Sequence, residues 1–131
     1  IQNADSIIPE FQNPKVGTLI PFSPTDAYPI AILEKNKAIV LSFSYDMDKS
    51  AIIDPDQSLP ENYFQLSWLW YIEDLGPNRS RFISRNRLSY SDSIKNKILF
   101  GWLMEPVVFA MDRKMCLGIK KRAERFRSSL V

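Results

Sequence analysis

Phe64-Gln65-Leu66-Ser67-Trp68-Leu69-Trp70-Tyr71-Ile72 is the stretch that decides how this chain is read. Taken every second residue, it places Phe64, Leu66, Trp68, Trp70 and Ile72 on one face of an extended strand. Gln65, Ser67, Leu69 and Tyr71 fall on the other face, because successive side chains of a strand point to opposite sides. Asp74-Leu75-Gly76-Pro77-Asn78 then reads as a hairpin loop, and Arg79 to Tyr90 as the returning partner strand. Within that partner, Arg79, Arg81, Arg85 and Arg87 share one parity with Ile83, and Ser80, Phe82, Ser84, Asn86 and Leu88 share the other. A row of arginines is costly to bury, so it is expected to face water and to turn Phe82, Ser84, Asn86 and Leu88 inward.

Working toward the N-terminus, Asp46 to Asn62 is polar, acidic and proline-bearing, and reads as a long surface loop. Before it, Tyr28 to Glu34 and Lys37 to Ser44 are strand-like runs joined by a hairpin turn at Lys35-Asn36. Thr18 to Phe22 is a further short strand, closed by the turn-rich Ser23-Pro24-Thr25-Asp26. Ile1 to Gly17 has no clear period and contains Pro9 and Pro14, so a loop with at most one helical turn is expected there.

Toward the C-terminus, Asp92 to Met104 reads as partly helical, and Pro106 suits the first position of a new helix, where its missing N–H costs nothing. From there Val108, Met111, Met115, Ile119, Arg122 and Phe126 follow helical spacing. Lys120, Lys121, Arg122, Arg125 and Arg127 gather where the helix dipole favours cations. Strands joined by short turns imply an antiparallel sheet, and its apolar face needs a partner. The expected class is therefore α+β, with the sheet wrapped around one long C-terminal helix.

Composition narrows the function. The 131 residues suit a single domain, and 45% apolar with 24% charged residues is a globular balance. A net charge of +2 is too small to imply nucleic acid. The longest apolar run, Ile98 to Met111, is broken by Glu105 and Pro106 and is too short for a membrane span. The single cysteine, Cys116, has no intrachain partner, which points to a reducing, cytoplasmic compartment. The chain has no histidine, which removes the commonest general base and the usual zinc ligand. Asp46 with Asp48, and Asp54 with Asp56, are paired carboxylates, but they lie in the polar loop and read as solvated rather than metal-binding. No catalytic set, metal site or cofactor is expected.

The C-terminal run Glu105-Pro106-Val107-Val108-Phe109-Ala110-Met111-Asp112-Arg113-Lys114-Met115-Cys116-Leu117-Gly118-Ile119-Lys120-Lys121-Arg122-Ala123-Glu124 resembles the last helix of bacterial START-like (SRPBCC) proteins of the polyketide cyclase/dehydrase-like group. Asn3-Ala4-Asp5-Ser6-Ile7-Ile8-Pro9-Glu10-Phe11-Gln12 is similar to their segment leading into the second strand. Arg79-Ser80-Arg81-Phe82-Ile83-Ser84-Arg85-Asn86-Arg87 is similar to their late strand with spaced arginines. The resemblance implies a helix-grip fold over 1–131 and a small hydrophobic ligand held in a cavity between sheet and helix. Such proteins begin with a strand and two short helices that are not seen before Asn3. The resemblance thus implies an N-terminally truncated domain, with a sheet edge open to homo-oligomer formation.

The candidate pocket is Phe64, Leu66, Trp68, Trp70, Phe82, Ser84 and Asn86 on the sheet, with Met111 and Met115 on the helix. Aromatic walls and flexible methionines suit apolar guests, but the same residues equally describe a filled core. Ser84 and Asn86 bear on the choice, since polar groups turned inward need partners that a ligand or water could supply. Three readings follow: a hydrophobic-ligand-binding module, a cyclase or aromatase-type enzyme on a polyketide-like substrate, and an interaction domain with a filled core.

Overall fold

The computed structural model describes residues 8–22 and 27–128, without the side chains of 126–128. The turn expected at Ser23 to Asp26, the segment Asn3 to Ile7 and the side chain of Phe126 lie outside the described residues. The chain divides into two compact units: Lys15–Asn96, and the described parts of Ile1–Pro14 and Lys97–Val131. The architecture is α+β, an antiparallel sheet followed by a long helix.

The first unit is the sheet. Its strands are β1 (Leu19–Pro21), β2 (Ala27–Glu34), β3 (Ala38–Asp46), β4 (Ala51–Ile53), β5 (Tyr63–Asp74) and β6 (Ser80–Tyr90). They run in the order β1-β2-β3-β5-β6, and β4 pairs with the end of β3. Every pairing is antiparallel, as short turns between consecutive strands require. The turns use residues that tolerate left-handed backbone: Asn36 at φ 60° between β2 and β3, and Gly76 at φ 98° with Asn78 at φ 60° between β5 and β6. Asp74 Oδ1 accepts the Gly76 N–H at 2.9 Å and so pins that loop.

Register carries the pattern read from β5 across the whole sheet. Trp68 stands opposite Leu41 on one side and Asn86 on the other, and Trp70 opposite Ile39 and Ser84. Residues directly opposite share a face, so Ile39, Leu41, Phe43 and Tyr45 of β3 join Phe64, Leu66, Trp68 and Trp70. On β2 the register shifts between Ile30 and Ile32. The extra residue of this bulge puts Ile30 inward beside Leu41, turns Ile32 outward beside Val40, and returns Leu33 to the inner face beside Ile39. Ile30 and Leu41 are the tightest part of the core, each 1% exposed.

The loop expected over Asp46 to Asn62 contains a strand. Ala51-Ile52-Ile53 pairs with Ser44-Tyr45-Asp46, and Ile53 is buried. Short apolar, β-branched runs pair when a turn presents them, and here Asp46 builds the turn. Asp46 is itself buried; its Oδ1 accepts the N–H groups of Asp48 and Lys49, each at 3.0 Å. Asp48 takes the Asn62 side-chain amide at 2.7 Å. The first carboxylate pair therefore shapes the backbone instead of merely being solvated.

At the same end of the sheet, Asn96 is buried and its amide donates to Ser91 Oγ at 2.8 Å, to Ser91 O at 3.2 Å and to Asn62 Oδ1 at 3.3 Å. Ser93 Oγ accepts the Asn96 N–H at 3.1 Å and opens the helical turn α1 (Ile94–Asn96).

Helical backbone continues from α1 through a π-helical stretch, Lys97–Met104, into α2 (Glu105–Ser128). Pro106 does not open a new helix as its sequence context suggested; it sits at the junction where the wide turns give way to α-helix. The cause lies in the ring, which crowds the carbonyl four residues back, and in the missing N–H, which cannot close an ordinary α turn there. Along α2, Val108, Met115, Ile119 and Arg122 are partly buried, with Asp112 and Cys116 beside them, while Met111 is 50% exposed. Among the described residues, no helix is long and apolar enough to cross a membrane.

The two backbone N–H groups that Asp46 accepts, the Lys49 N–H foremost, hold its carboxyl below the usual carboxylate range. A carboxyl whose pKa is lowered on folding stabilises above its unfolded value, near 4, and that stabilisation fades as pH falls through the folded value. Urea unfolding between pH 7 and pH 2 is expected to show stability falling below about pH 4, and Asp46→Asn, which keeps the acceptor oxygen, to lose less over that range. Identical acid limbs would show that the charge of Asp46 contributes nothing.

Candidate functional site

The inner face of the sheet is an almost unbroken surface of rings. Tyr45 lies 5.1 Å from Phe64, and Phe64 meets Phe43 edge-on at 5.9 Å. Phe43 stacks on Tyr28 at 4.0 Å with the planes 5° apart, and Tyr28 is 5.0 Å from Phe22. Phe22 reaches both tryptophans of β5, at 5.1 Å from Trp68 and 6.5 Å from Trp70. The two tryptophans meet edge-on at 5.3 Å. Such tilted and edge-on pairs each add about 0.5–1.5 kcal/mol beyond area burial.

The contact between Phe22 and Trp68 also reports curvature. Phe22 follows β1, which lies three strand positions from β5 in the sheet order. At about 4.8 Å per strand a flat sheet would hold those backbones roughly 14 Å apart. A ring separation of 5.1 Å requires the β1–β2 end to curl over the inner face, and the β2 bulge is a natural source of that curl.

Two tryptophans and two polar residues form a cluster on the β5–β6 side of the face. Trp68 stands opposite Asn86 and Trp70 opposite Ser84, so the four make a quadrilateral. Trp68 Nε1 donates to Ser84 Oγ at 2.8 Å along one diagonal. On the other diagonal, the buried Trp70 Nε1 and the buried Asn86 Oδ1 have no hydrogen-bond partner among the described residues. A buried donor or acceptor left without a partner costs about 1–3 kcal/mol, so this cluster holds unspent polar capacity beside the rings of Trp68, Trp70 and Phe22.

Of the residues named from sequence, β5 and β6 bring Phe64, Leu66, Trp68, Trp70, Phe82, Ser84 and Asn86 together on one face. Trp68 is 5% exposed, and Phe64, Leu66, Trp70, Phe82, Ser84 and Asn86 are partly buried. Leu88, expected inside, shares the face opposite Leu66 but is exposed. It lies on β6, which no further strand flanks among the described residues. Met111 and Met115 belong to α2, in the other unit, four residues apart along the helix. Sequence reasoning missed Tyr28, Leu41 and Phe43. Their signal was present: Leu41 and Phe43 alternate in step with Ile39 and Tyr45, and the hairpin turn fixes their strand beside Tyr28. Phe22 carried no such signal, since its position depends on the curl of the sheet.

The arginine row is exposed at Arg81, Arg85 and Arg87, and Arg81 pairs with Glu73 at 3.2 Å. Arg79 lies in the hairpin loop rather than on the strand. Charges along an edge strand discourage pairing with further chains. Cys116 is partly buried, and burial, then the nearby Asp112 charge, raises its thiol pKa. The protonated thiol is a poor nucleophile at neutral pH. No cluster of three or more His, Cys, Asp or Glu side chains that could hold a metal ion occurs among the described residues.

Denaturant melts of two single variants test the face assignment together. Trp68→Ala is expected to cost about 3–5 kcal/mol, as for a large side chain removed from a packed core. Arg85→Ala is expected to stay within about 0.5 kcal/mol, as for an exposed position. The reverse order would mean that the arginines point inward.

No family model, no curated protein and no solved structure matches the chain.

Proposed function

We propose that the aromatic face of the sheet binds a small hydrophobic molecule without covalent chemistry. The observation that carries this reading is the polar pair at the β5–β6 side of the ring surface, Trp70 Nε1 and Asn86 Oδ1, buried and without partners among the described residues. An interior that served only as core would be expected to satisfy or omit such groups, whereas ligand sites are mostly apolar with a few placed polar atoms. The curl that carries Phe22 over Trp68 gives the face the concavity that small-molecule sites have.

The START-like resemblance supports the same reading. The element order, an antiparallel sheet followed by one long helix, is the order that resemblance implies, and the helix-grip arrangement belongs to this proposal. So do a cytoplasmic location and self-association through an exposed sheet edge. The cyclase reading is weaker on the residues: Ser84 is engaged as the acceptor of the Trp68 indole, the chain has no histidine, and Cys116 has a raised pKa.

Titration with the apolar fluorophore N-phenyl-1-naphthylamine tests the proposal. Saturable enhancement at about one probe per chain is expected, with at least a tenfold loss of affinity in Leu66→Trp, which fills the face while melting cooperatively. No saturable binding to the native protein would favour a filled core and an interaction role.

A further inference from the structure

The ligand's chemistry is written in the unused diagonal of the quadrilateral. Trp70 and Asn86 are diagonal neighbours across the β5–β6 pair, since Trp70 stands opposite Ser84 and Asn86 lies two residues further along β6. Diagonal neighbours on one sheet face sit about 7–8 Å apart, and because the Trp68–Ser84 bond spans the crossing diagonal, a group shared by Trp70 and Asn86 has to lie over that bond. The equivalent pair on the first diagonal, Trp68 with Ser84, closes a direct bond of 2.8 Å because a hydroxyl both fits and accepts. The second pair is buried and unpartnered at both ends: an indole N–H that can only donate and an amide oxygen that can only accept.

A group that answers both must accept one hydrogen bond and donate one. A hydrocarbon answers neither. A ketone or an ether accepts from Trp70 but has nothing to give Asn86. A carboxylate likewise only accepts, and among the described residues this face of β6 presents no cation to balance it: Arg81, Arg85 and Arg87 stand at the other parity. A neutral hydroxyl does both with a single oxygen. The neighbouring rings of Phe22 and Trp68 then set the rest of the molecule as apolar.

Building on the binding role proposed above, we infer that the preferred ligand is a neutral alcohol on a compact hydrophobic skeleton, its hydroxyl accepting from Trp70 Nε1 and donating to Asn86 Oδ1. Trp70 and Asn86 are thus specificity residues, while the ring surface supplies most of the affinity. Sites built to hydrogen-bond a ligand group reject the analogue that lacks it, because the site's own polar atoms are then buried unpaired.

Three probes with one bicyclic skeleton separate the claims: tetralin, 1-tetralone and 1-tetralol. Binding to the native protein is followed by isothermal titration or by tryptophan fluorescence. The expected order is tetralol tightest, at least about tenfold tighter than tetralin, with tetralone between them. Trp70→Phe is expected to erase the preference of tetralone over tetralin, and Asn86→Leu the preference of tetralol over tetralone. Should either variant fail to fold, the order of the three probes on the native protein decides alone. Equal affinities for all three would overturn the hydroxyl assignment, mean that water or nothing serves the pair, and leave apolar binding standing. A preference for the ketone would overturn it too, by showing that the site offers two donors. Failure of every probe to bind would overturn this inference and the binding role together.

Discussion

The indole of Trp68 is almost wholly buried on the inner face of β5, and its N–H must find an acceptor there or forfeit about 1–3 kcal/mol. Ser84 supplies it from the neighbouring strand. That bond suits only one pairing of β5 with β6. A slip of one residue would bring Arg85 or Ile83 to the diagonal position and turn the whole arginine row onto the aromatic face. The register in turn fixes which residues surround the tryptophans, and through β3 it fixes Leu41 and Phe43 against them. The aromatic surface, the exposed arginines and the open polar pair all follow from a single choice of parity.

The polar atoms and the rings on this face have different work. The rings give area and shape; seven of them touch in sequence from Tyr45 to Trp70 without a polar interruption. The polar atoms give discrimination, because in a low-dielectric setting a satisfied hydrogen bond is strong and an unsatisfied one is costly. Elsewhere in the sheet unit, buried polar groups are satisfied at close range. Asp46 is answered by two backbone N–H groups and Asn96 by Ser91 and Asn62. Against that background the open pair at Trp70 and Asn86 stands out as a place where the fold has left hydrogen-bonding capacity unspent.

Much of this was legible in the sequence, for physical reasons that can be named. Period-two patterning in β5 and the arginine spacing in β6 set the parity, so the pattern alone turns Ser84 and Asn86 inward. The turns at Asn36 and Gly76 were signalled by residues that accept left-handed backbone. What was not legible depends on contacts distant in sequence. Strand β4 is three residues long and forms because Asp46 folds the preceding turn, a contribution hidden in an acidic stretch. Phe22 reaches Trp68 only because the sheet curls. Pro106 read as a helix start because proline is favoured there, and the same ring and missing N–H suit equally the wide turns that carry the helix on to it.

The central claim is that the Trp70 indole N–H is held open for a ligand group while the Trp68 indole N–H is not. The two are distinguishable as separate indole signals in a nitrogen–proton correlation spectrum, assigned against Trp70→Phe and Trp68→Phe, with Trp102 as an exposed internal reference. On addition of 1-tetralol, the account requires the Trp70 signal to move saturably, the Trp68 signal to move less, and the Trp102 signal to stay in place. Movement of Trp102 alone, or no movement of any indole at saturating alcohol, would contradict it.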